Sequence, residues 1–138
     1  MVRLARSALP LLVFLPAILA AQDPAVPKPP HRPPEVTDSA IAAGDSLFHG
    51  IAGCSGCHGP RGIGTDSGAP IAQGIWMHGP DTYVGILGRI LHGVPKQFST
   101  RGIAMPMRGW ADMSDAQAKA IAAYVWEISH TFPQEPGH

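Results

Sequence analysis

The sequence predicts a small all-α domain with about three main helices. Three segments place apolar residues at the spacing of an amphipathic helix, and none shows the alternation typical of a half-buried strand. A glycine-rich stretch, residues 59–79, separates the first two helical segments. Since an unstructured loop of that length is uncommon in a small domain, we expect a large bound group to organise it, a disordered loop being the alternative.

The first 21 residues have the layout of a secretory signal peptide. Two arginines precede an apolar run at residues 8–20, and the small residues Ala20 and Ala21 suit cleavage after position 21. The run is shorter than the roughly 20 residues of a membrane-spanning helix, and prolines interrupt it. An uncleaved membrane anchor is the alternative. We therefore expect an exported protein that associates with a membrane only if this segment is retained or through a partner complex.

The remaining chain divides into a tether, one domain and a short tail. Residues 22–36 are rich in proline and have little to bury, which predicts a semi-rigid, extended spacer. Residues 37–132 carry the helical segments and form the predicted domain, and residues 133–138 form the tail.

The first predicted helix begins near Thr37 or Asp38, either of which is a suitable N-cap, and ends at Gly50. The second has Pro80 in its first turn and ends at Gly93. Residues predicted to be buried in these two helices are Ile41, Leu47, Phe48, Tyr83, Ile86, Leu87, Ile90 and Leu91.

The third predicted helix is the best marked of the three. Ser114 and Gln117 match a capping box, with serine at the N-cap and glutamine three residues later. The apolar stripe that follows consists of Ala118, Ile121, Ala122, Val125 and Ile128.

Both cysteines lie in the sequence Cys54-Ser55-Gly56-Cys57-His58, between the first helix and the glycine-rich loop. C-x-x-C-H is the signature of covalent haem attachment, because each thiol can add to one vinyl group of the same porphyrin. His58 can then direct its imidazole at the iron. The motif predicts one haem c per chain, held by Cys54 and Cys57 with His58 as an axial ligand.

Three other uses of this cysteine pair are weaker. An exported protein could join Cys54 and Cys57 in a disulfide. A thioredoxin-like redox pair follows a strand in an alternating β/α pattern, which this sequence lacks. A zinc site needs four ligands, and the chain has no second cysteine pair or closely spaced histidine pair.

Three methionines follow the second helix and are candidates for the other axial position. A methionine opposite a histidine closes the iron site and raises its reduction potential. Met105 and Met107 lie in an irregular segment, whereas Met113 directly precedes the N-cap of the last helix, where a hydrophobic staple is expected. Each could also be core filler.

With these elements the chain resembles a class I, single-domain c-type cytochrome over residues 38–131. The resemblance rests on "CSGCH", on the later "GIAMP" and on the capped last helix. It implies a cytochrome c-like fold wrapped around covalent haem. It also implies that the first and last helices cross, with Gly44 permitting the close approach and Tyr124 as an aromatic partner.

The same resemblance implies several ligand roles. Met105, followed by Pro106, corresponds to the axial methionine, with Met107 as the alternative. The carbonyl of Pro70 corresponds to the acceptor for the Nδ1–H of the axial imidazole, a bond that fixes the ring. Trp76 could reach a haem propionate through its indole N–H, and packing is its other plausible role. His78 and His92 are lesser alternatives as iron ligands.

The function expected from these features is electron transfer by a soluble periplasmic carrier that is not itself an enzyme. The alternatives are a haem subunit of a larger oxidoreductase and, less favoured, a haem enzyme or sensor with an open iron site. Ten basic and ten acidic residues leave no net charge and no basic stripe, so nucleic acid is not an expected partner. The expected partners are redox proteins.

Overall fold

The computed structural model describes residues 31–72 and 81–131. The α-helices are α1 (Asp38–His49), α2 (Cys54–His58), α3 (Tyr83–His92) and α4 (Asp115–Thr131), and two 3-10 turns span Lys96–Phe98 and Met107–Trp110. Pairing of extended backbone within the described residues is limited to two isolated bridges. The all-α prediction is therefore confirmed. The predicted signal peptide, most of the tether, Trp76, Pro80 and the tail lie outside the described residues.

Helix α1 is capped by Thr37 and not by Asp38. The Thr37 hydroxyl accepts a hydrogen bond from the backbone N–H of Ala40 at 3.2 Å, which satisfies one of the free donors of the first turn. At the other end, the N–H of Gly50 donates to the carbonyls of the last turn. Phe48 is fully buried, while Ile41 and Leu47 are half-buried against the core.

Helix α4 begins with the predicted capping box. The N–H of Ser114 donates to Gln117 Oε1 at 2.8 Å, and the N–H of Gln117 donates to Ser114 Oγ at 3.3 Å. Seventeen residues follow in one helix, and its buried residues are Ala118, Ile121, Ala122, Ala123, Val125, Trp126 and Ser129. The helix therefore runs through the centre of the core.

Helices α1 and α4 cross at Gly44, as expected. A Cβ atom at this position would overlap the backbone carbonyl of Ala120 and lie 2.8 Å from the Cβ of Tyr124. The ring of Tyr124 packs against that of Phe48 with centroids 5.2 Å apart. Only glycine permits this crossing distance, because any side chain would displace the α4 backbone.

Helix α3 begins later than the sequence predicts. Its N-cap is Thr82, whose hydroxyl accepts from the N–H of Gly85 at 3.2 Å, so the helix begins at Tyr83. A threonine at the N-cap satisfies a free helix donor, which the proline cannot do. Tyr83, Ile86 and Ile90 are buried, and Leu87 and Leu91 are half-buried.

The described end of the tether contacts the helical domain. Arg32 donates to Asp38 at 2.6 Å and to Glu127 at 2.9 Å, so it bridges α1 and α4. Val36, the last residue assigned to the tether, is buried in the core. No helix within residues 31–72 and 81–131 is long and apolar enough to cross a membrane.

Candidate functional site

The C-x-x-C-H motif forms the short helix α2. Gly53 precedes it with φ of 62°, a left-handed conformation that turns the chain into the helix. Both thiols are free, so the disulfide alternative is wrong for this structure. Cys54 is half-buried, and burial raises the pKa of its thiol to about 11, while Cys57 is exposed.

A cavity of about 700 Å³ lies beside α2. It is within the size range of pockets that hold organic ligands. Its walls come from α1, α2, α3 and α4, from the loop after α2 and from the segment between α3 and α4. The candidate residues that line it are Cys54, Cys57, His58, Pro70, Met105 and Met113.

His58 is positioned by the loop that follows α2. Its Nδ1 lies 2.7 Å from the carbonyl oxygen of Ala69, to which it donates. Burial lowers the pKa of the His58 imidazole, although this hydrogen bond acts in the opposite direction. A neutral ring that donates from Nδ1 keeps the Nε2 lone pair available for a metal.

The acceptor is Ala69, and the prediction that Pro70 supplies this carbonyl is wrong by one residue. Pro70 still shapes the bond, because a residue before proline is restricted to extended backbone. Its nitrogen also belongs to the same amide group as the accepting oxygen. The sequence could not distinguish Ala69 from Pro70 as the acceptor, because the backbone conformation of the loop decides which of the two carbonyl groups points toward α2.

Two contacts fix this loop against α2. The hydroxyl of Thr65 donates to the carbonyl of Cys57 at 2.6 Å. Gly68 packs so closely that a Cβ there would lie 2.7 Å from the carbonyl carbon of Cys57 and 3.0 Å from its Cβ. The described part of the predicted loop is therefore ordered, and it holds the Ala69 carbonyl within reach of His58.

Met105 lies close to the C-terminal end of α3. Its N–H and carbonyl both pair with those of Val94 at 2.9 Å, which ties the methionine segment to the end of that helix. Gly93 has φ of 70°, and a Cβ there would lie 3.0 Å from the N of Met107 and overlap the Met105 carbonyl. The close pairing thus depends on glycine.

The two candidate methionines differ in location. Met105 is half-buried and lines the cavity, whereas Met107 is 65% exposed and lies outside the cavity wall. Met113 is buried and also lines the cavity, so it packs as an apolar wall residue just before α4. The structure therefore brings His58 and Met105 to the same cavity.

The other candidates are placed as follows. Trp76 and His78 lie outside the described residues. His92 is exposed at the end of α3 and does not line the cavity. Within residues 31–72 and 81–131 no cluster of three or more His, Cys, Asp or Glu side chains could hold a metal ion.

The wall residues that were not singled out from the sequence include Arg89, Arg101 and Trp110. Trp110 is 88% exposed and has φ of 67°, directly after two other residues with left-handed backbone, Arg108 and Gly109. Arg108 stabilises this turn by donating to Met113 O and Asp115 Oδ1, both at 2.6 Å. No motif marks these wall residues: Arg89 lies on α3, and the positions of Arg101 and Trp110 depend on the path of the segment between α3 and α4.

The donor set fits a covalently attached haem. Two free thiols, a neutral imidazole and a thioether border one cavity, and its other wall residues are mostly apolar. Bound there, the haem would supply an iron that changes oxidation state by one electron. Cys54 and Cys57 would hold the porphyrin, while the protein wall would exclude water and set the polarity around it.

Comparison with known proteins supports the same assignment. Residues 41–129 match the family model described as "Cytochrome c". None of the curated proteins matches the chain. Among solved structures, the chain is similar to cytochrome cL from the marine methylotrophic bacterium Methylophaga aminisulfidivorans MPT, with 26% identity over 66% of this chain and a TM-score of 0.49. The match covers 54% of that protein, so this chain spans about half its length. Because the family model covers most of the helical domain and includes the attachment motif, the chain belongs to the cytochrome c family, with one covalently bound haem c and the electron-transfer chemistry which that cofactor implies.

Proposed function

We propose that this protein carries single electrons between redox proteins in the periplasm, through a haem c ligated by His58 and Met105. The observation that carries the proposal is the shared cavity: His58 enters it from α2, and Met105 enters it from the segment paired with Val94. A histidine and a methionine together fill both axial positions of the iron. A closed site of this kind suits electron transfer and leaves no position for a substrate.

The two proposed ligands and their surroundings have opposite effects on the reduction potential of the iron. The carbonyl of Ala69 orients His58 and raises the basicity of its imidazole, which favours the oxidised iron. The thioether of Met105 and the apolar wall act in the opposite direction and favour the reduced iron. The protein would therefore contribute to electron transfer by setting the reduction potential of the iron through these opposing effects, and it would not need an acid–base or nucleophilic pair.

The periplasmic location rests on the N-terminal sequence. A basic start, a short apolar run and small residues before position 22 are typical of an exported protein. We expect the mature protein to begin at Gln22 and to be recovered in the periplasmic fraction. Recovery of the full-length chain in the membrane fraction would contradict cleavage.

Absorption spectroscopy of three holoproteins tests the axial pair. The oxidised wild type should show the weak far-red band of sulfur-to-iron charge transfer. Met105→Ala should lose this band, whereas Met107→Ala, with an exposed side chain, is the matched control and should retain it. Loss of the band in Met107→Ala alone would show that the other methionine is the ligand.

Carbon monoxide binding tests the closed iron site independently. The reduced wild type should not bind carbon monoxide readily at neutral pH, because both axial positions are occupied. Met105→Ala should bind it. Ready binding by the wild type would contradict the proposed carrier and favour a haem enzyme or sensor.

A further inference from the structure

Residues 105–113 form a continuous part of the cavity wall between α3 and α4. Five of these nine residues line the cavity: Met105, Pro106, Gly109, Trp110 and Met113. Met105 comes first in this segment, so the conformation of the residues that follow it helps to decide how far its thioether extends into the cavity. The contacts that fix this conformation therefore affect the position of the proposed ligand.

The middle of this segment has an unfavourable backbone conformation. Arg108, Gly109 and Trp110 have φ of 50°, 65° and 67°, which makes three left-handed residues in succession. Two of them carry a Cβ, and left-handed backbone is unfavourable for such residues. Gly109 must be glycine, because a Cβ there would overlap the carbonyl oxygen of Ala52. A strained turn of this kind persists only where surrounding contacts hold it in place.

Arg108 supplies contacts that hold this turn. Its guanidinium donates to the carbonyl oxygen of Met113 and to Asp115 Oδ1, both at 2.6 Å. Hydrogen bonds from a charged donor are stronger than those between neutral groups. The bond from Arg108 also lowers the pKa of the Asp115 carboxyl, so this acceptor is ionised at neutral pH. Both acceptors lie at the start of α4, and the turn is therefore attached to the central helix of the core.

The segment is attached at its other end through the backbone. Met105 pairs with Val94, close to the end of α3. Arg108 follows Met105 by three residues and is not itself a wall residue of the cavity. A substitution of Arg108 therefore releases the turn from α4 and leaves both the backbone pair and the cavity side chains unchanged.

We propose that Arg108 is a positioning residue, which keeps Met105 on the haem iron by closing the left-handed turn against α4. This inference rests on the proposed ligation by Met105. Without the guanidinium, the turn relaxes toward backbone conformations that are more favourable for Arg108 and Trp110. The sulfur of Met105 then leaves the iron in a larger fraction of molecules, and the site opens to external ligands although the helices stay folded.

The holoprotein variant Arg108→Met tests the proposal, with Arg32→Met as the matched control. Arg32 also donates to two acceptors, Asp38 and Glu127, and its side chain is 43% exposed against 32% for Arg108. Neither Arg32 nor its two acceptors line the cavity. Exposed ion pairs contribute little to overall stability, so helical circular dichroism should show similar unfolding temperatures for both variants and the wild type.

Access of ligands to the iron is the readout that a purely structural role would not change. Reduced Arg108→Met should bind carbon monoxide about tenfold faster than the wild type, because loss of a charge-assisted hydrogen bond changes an equilibrium by roughly this factor. In the oxidised variant, the far-red band should be lost at a lower temperature than in the wild type. Arg32→Met should match the wild type in both measurements.

Three further variants isolate the ion pair. Arg108→Lys keeps a cation and should recover part of the wild-type behaviour, since an ammonium lacks the rigid fork that reaches both acceptors. Asp115→Asn removes the charge of one acceptor and should produce a smaller effect of the same kind. Asp38→Asn is its control, because Asp38 is also the first residue of an α-helix and also pairs with an arginine.

Equal rates of carbon monoxide binding in Arg108→Met and Arg32→Met would overturn the role of Arg108 and leave the ligation by Met105 intact. If Arg108→Met does not form holoprotein, the comparison of Asp115→Asn with Asp38→Asn decides, and equal rates there would overturn the role of Arg108. Retention of the far-red band in Met105→Ala would overturn both the ligation and this inference. The two failures are therefore distinguishable.

Discussion

The imidazole Nδ1 of His58 donates to the backbone carbonyl of Ala69 across 2.7 Å. The two residues are eleven positions apart, and the loop between them returns to α2 through Thr65 and Gly68. This relationship makes the imidazole that we propose as an axial ligand sensitive to small changes in the loop between His58 and Ala69.

Gly68→Ala should weaken this hydrogen bond. A Cβ at Gly68 would lie 2.7 Å from the carbonyl carbon of Cys57, so the loop must move away from α2. We expect a loss of about 1–3 kcal/mol in the free energy of unfolding. The reduction potential should rise, because a less basic imidazole stabilises the oxidised iron less. Denaturant unfolding and redox titration of the holoprotein measure both effects.

Gly56→Ala is the control for this substitution. Gly56 lies inside the attachment motif, yet a Cβ there meets no described atom within 4 Å. This variant should keep the wild-type potential and should be at least as stable as the wild type, because alanine is favoured over glycine in a helix. If Gly68→Ala behaves in the same way as Gly56→Ala, the close packing of the loop against Cys57 does not control the imidazole.

Gly44→Ala should disrupt the crossing of α1 and α4. The added methyl group would overlap the carbonyl of Ala120, and neither backbone can yield without moving a helix. We expect a loss of about 3 kcal/mol or more in the free energy of unfolding, or failure to form the holoprotein. Thermal and denaturant unfolding monitored by helical circular dichroism measure the change.

The same substitution at Gly88 should have the opposite sign. Gly88 is inside α3, and a Cβ there has no described neighbour within 4 Å. Alanine is favoured over glycine in a helix by about 1 kcal/mol, so Gly88→Ala should stabilise the protein by about that amount. Equal destabilisation of both variants would show that helix crossing is not the reason for glycine at position 44.

His49 should make stability depend on pH. Its Nδ1 lies 2.9 Å from the carbonyl of Asp45, and its Nε2 lies 2.6 Å from the carbonyl of Pro60. Only an imidazolium can donate from both nitrogens, and these bonds, that to Asp45 first, raise the pKa of His49 above 6.5. The stabilisation is therefore fully present below pH 6.5 and is lost as pH rises through the raised value.

His49→Gln separates this effect from the other histidines. The difference in free energy of unfolding between wild type and His49→Gln should be largest below pH 6.5 and should shrink at higher pH. Urea unfolding of both holoproteins across this pH range provides the measurement. A difference that does not change with pH would contradict the double donation to Asp45 and Pro60.

The Trp110→Gly variant should be more stable than the Trp110→Ala variant. Its φ of 67° disfavours every residue with a Cβ, by about 1–2 kcal/mol relative to the right-handed conformation. Both variants remove the same exposed indole, so their difference reports the backbone alone. We expect Trp110→Gly to exceed Trp110→Ala by about 1 kcal/mol in the free energy of unfolding.

Met107 supplies the comparison for this pair. It is also exposed and belongs to the same turn, but its φ is not positive. There, Met107→Ala should be at least as stable as Met107→Gly, because glycine loses more backbone entropy on folding. If the alanine variant is at least as stable as the glycine variant at position 110 as well, that result would argue against the left-handed conformation of Trp110.

Local features of the fold were predictable because they depend on neighbours in the chain. The capping box of Ser114 and Gln117 and the end of α3 at Gly93 are formed as predicted. The role of Gly44 at the helix crossing was predictable only through a family resemblance, because a single glycine in an amphipathic segment does not indicate which helix packs against it. The start of α3 was misplaced because Pro80 and Thr82 are both acceptable near a helix start, and the threonine hydroxyl makes the cap.

By itself, the sequence determined the cofactor and the helical class. The motif Cys54-Ser55-Gly56-Cys57-His58 places two thiols and an imidazole within five residues, and helical periodicity needs only local spacing. Only the tertiary structure decided that Ala69 accepts from His58, that Met105 and not Met107 lines the cavity, and that Arg89 and Arg101 lie in its wall. These contacts join irregular segments to helices that are distant in the chain. Their partners depend on the path of the backbone, which single left-handed residues such as Gly93 redirect and which no sequence period encodes.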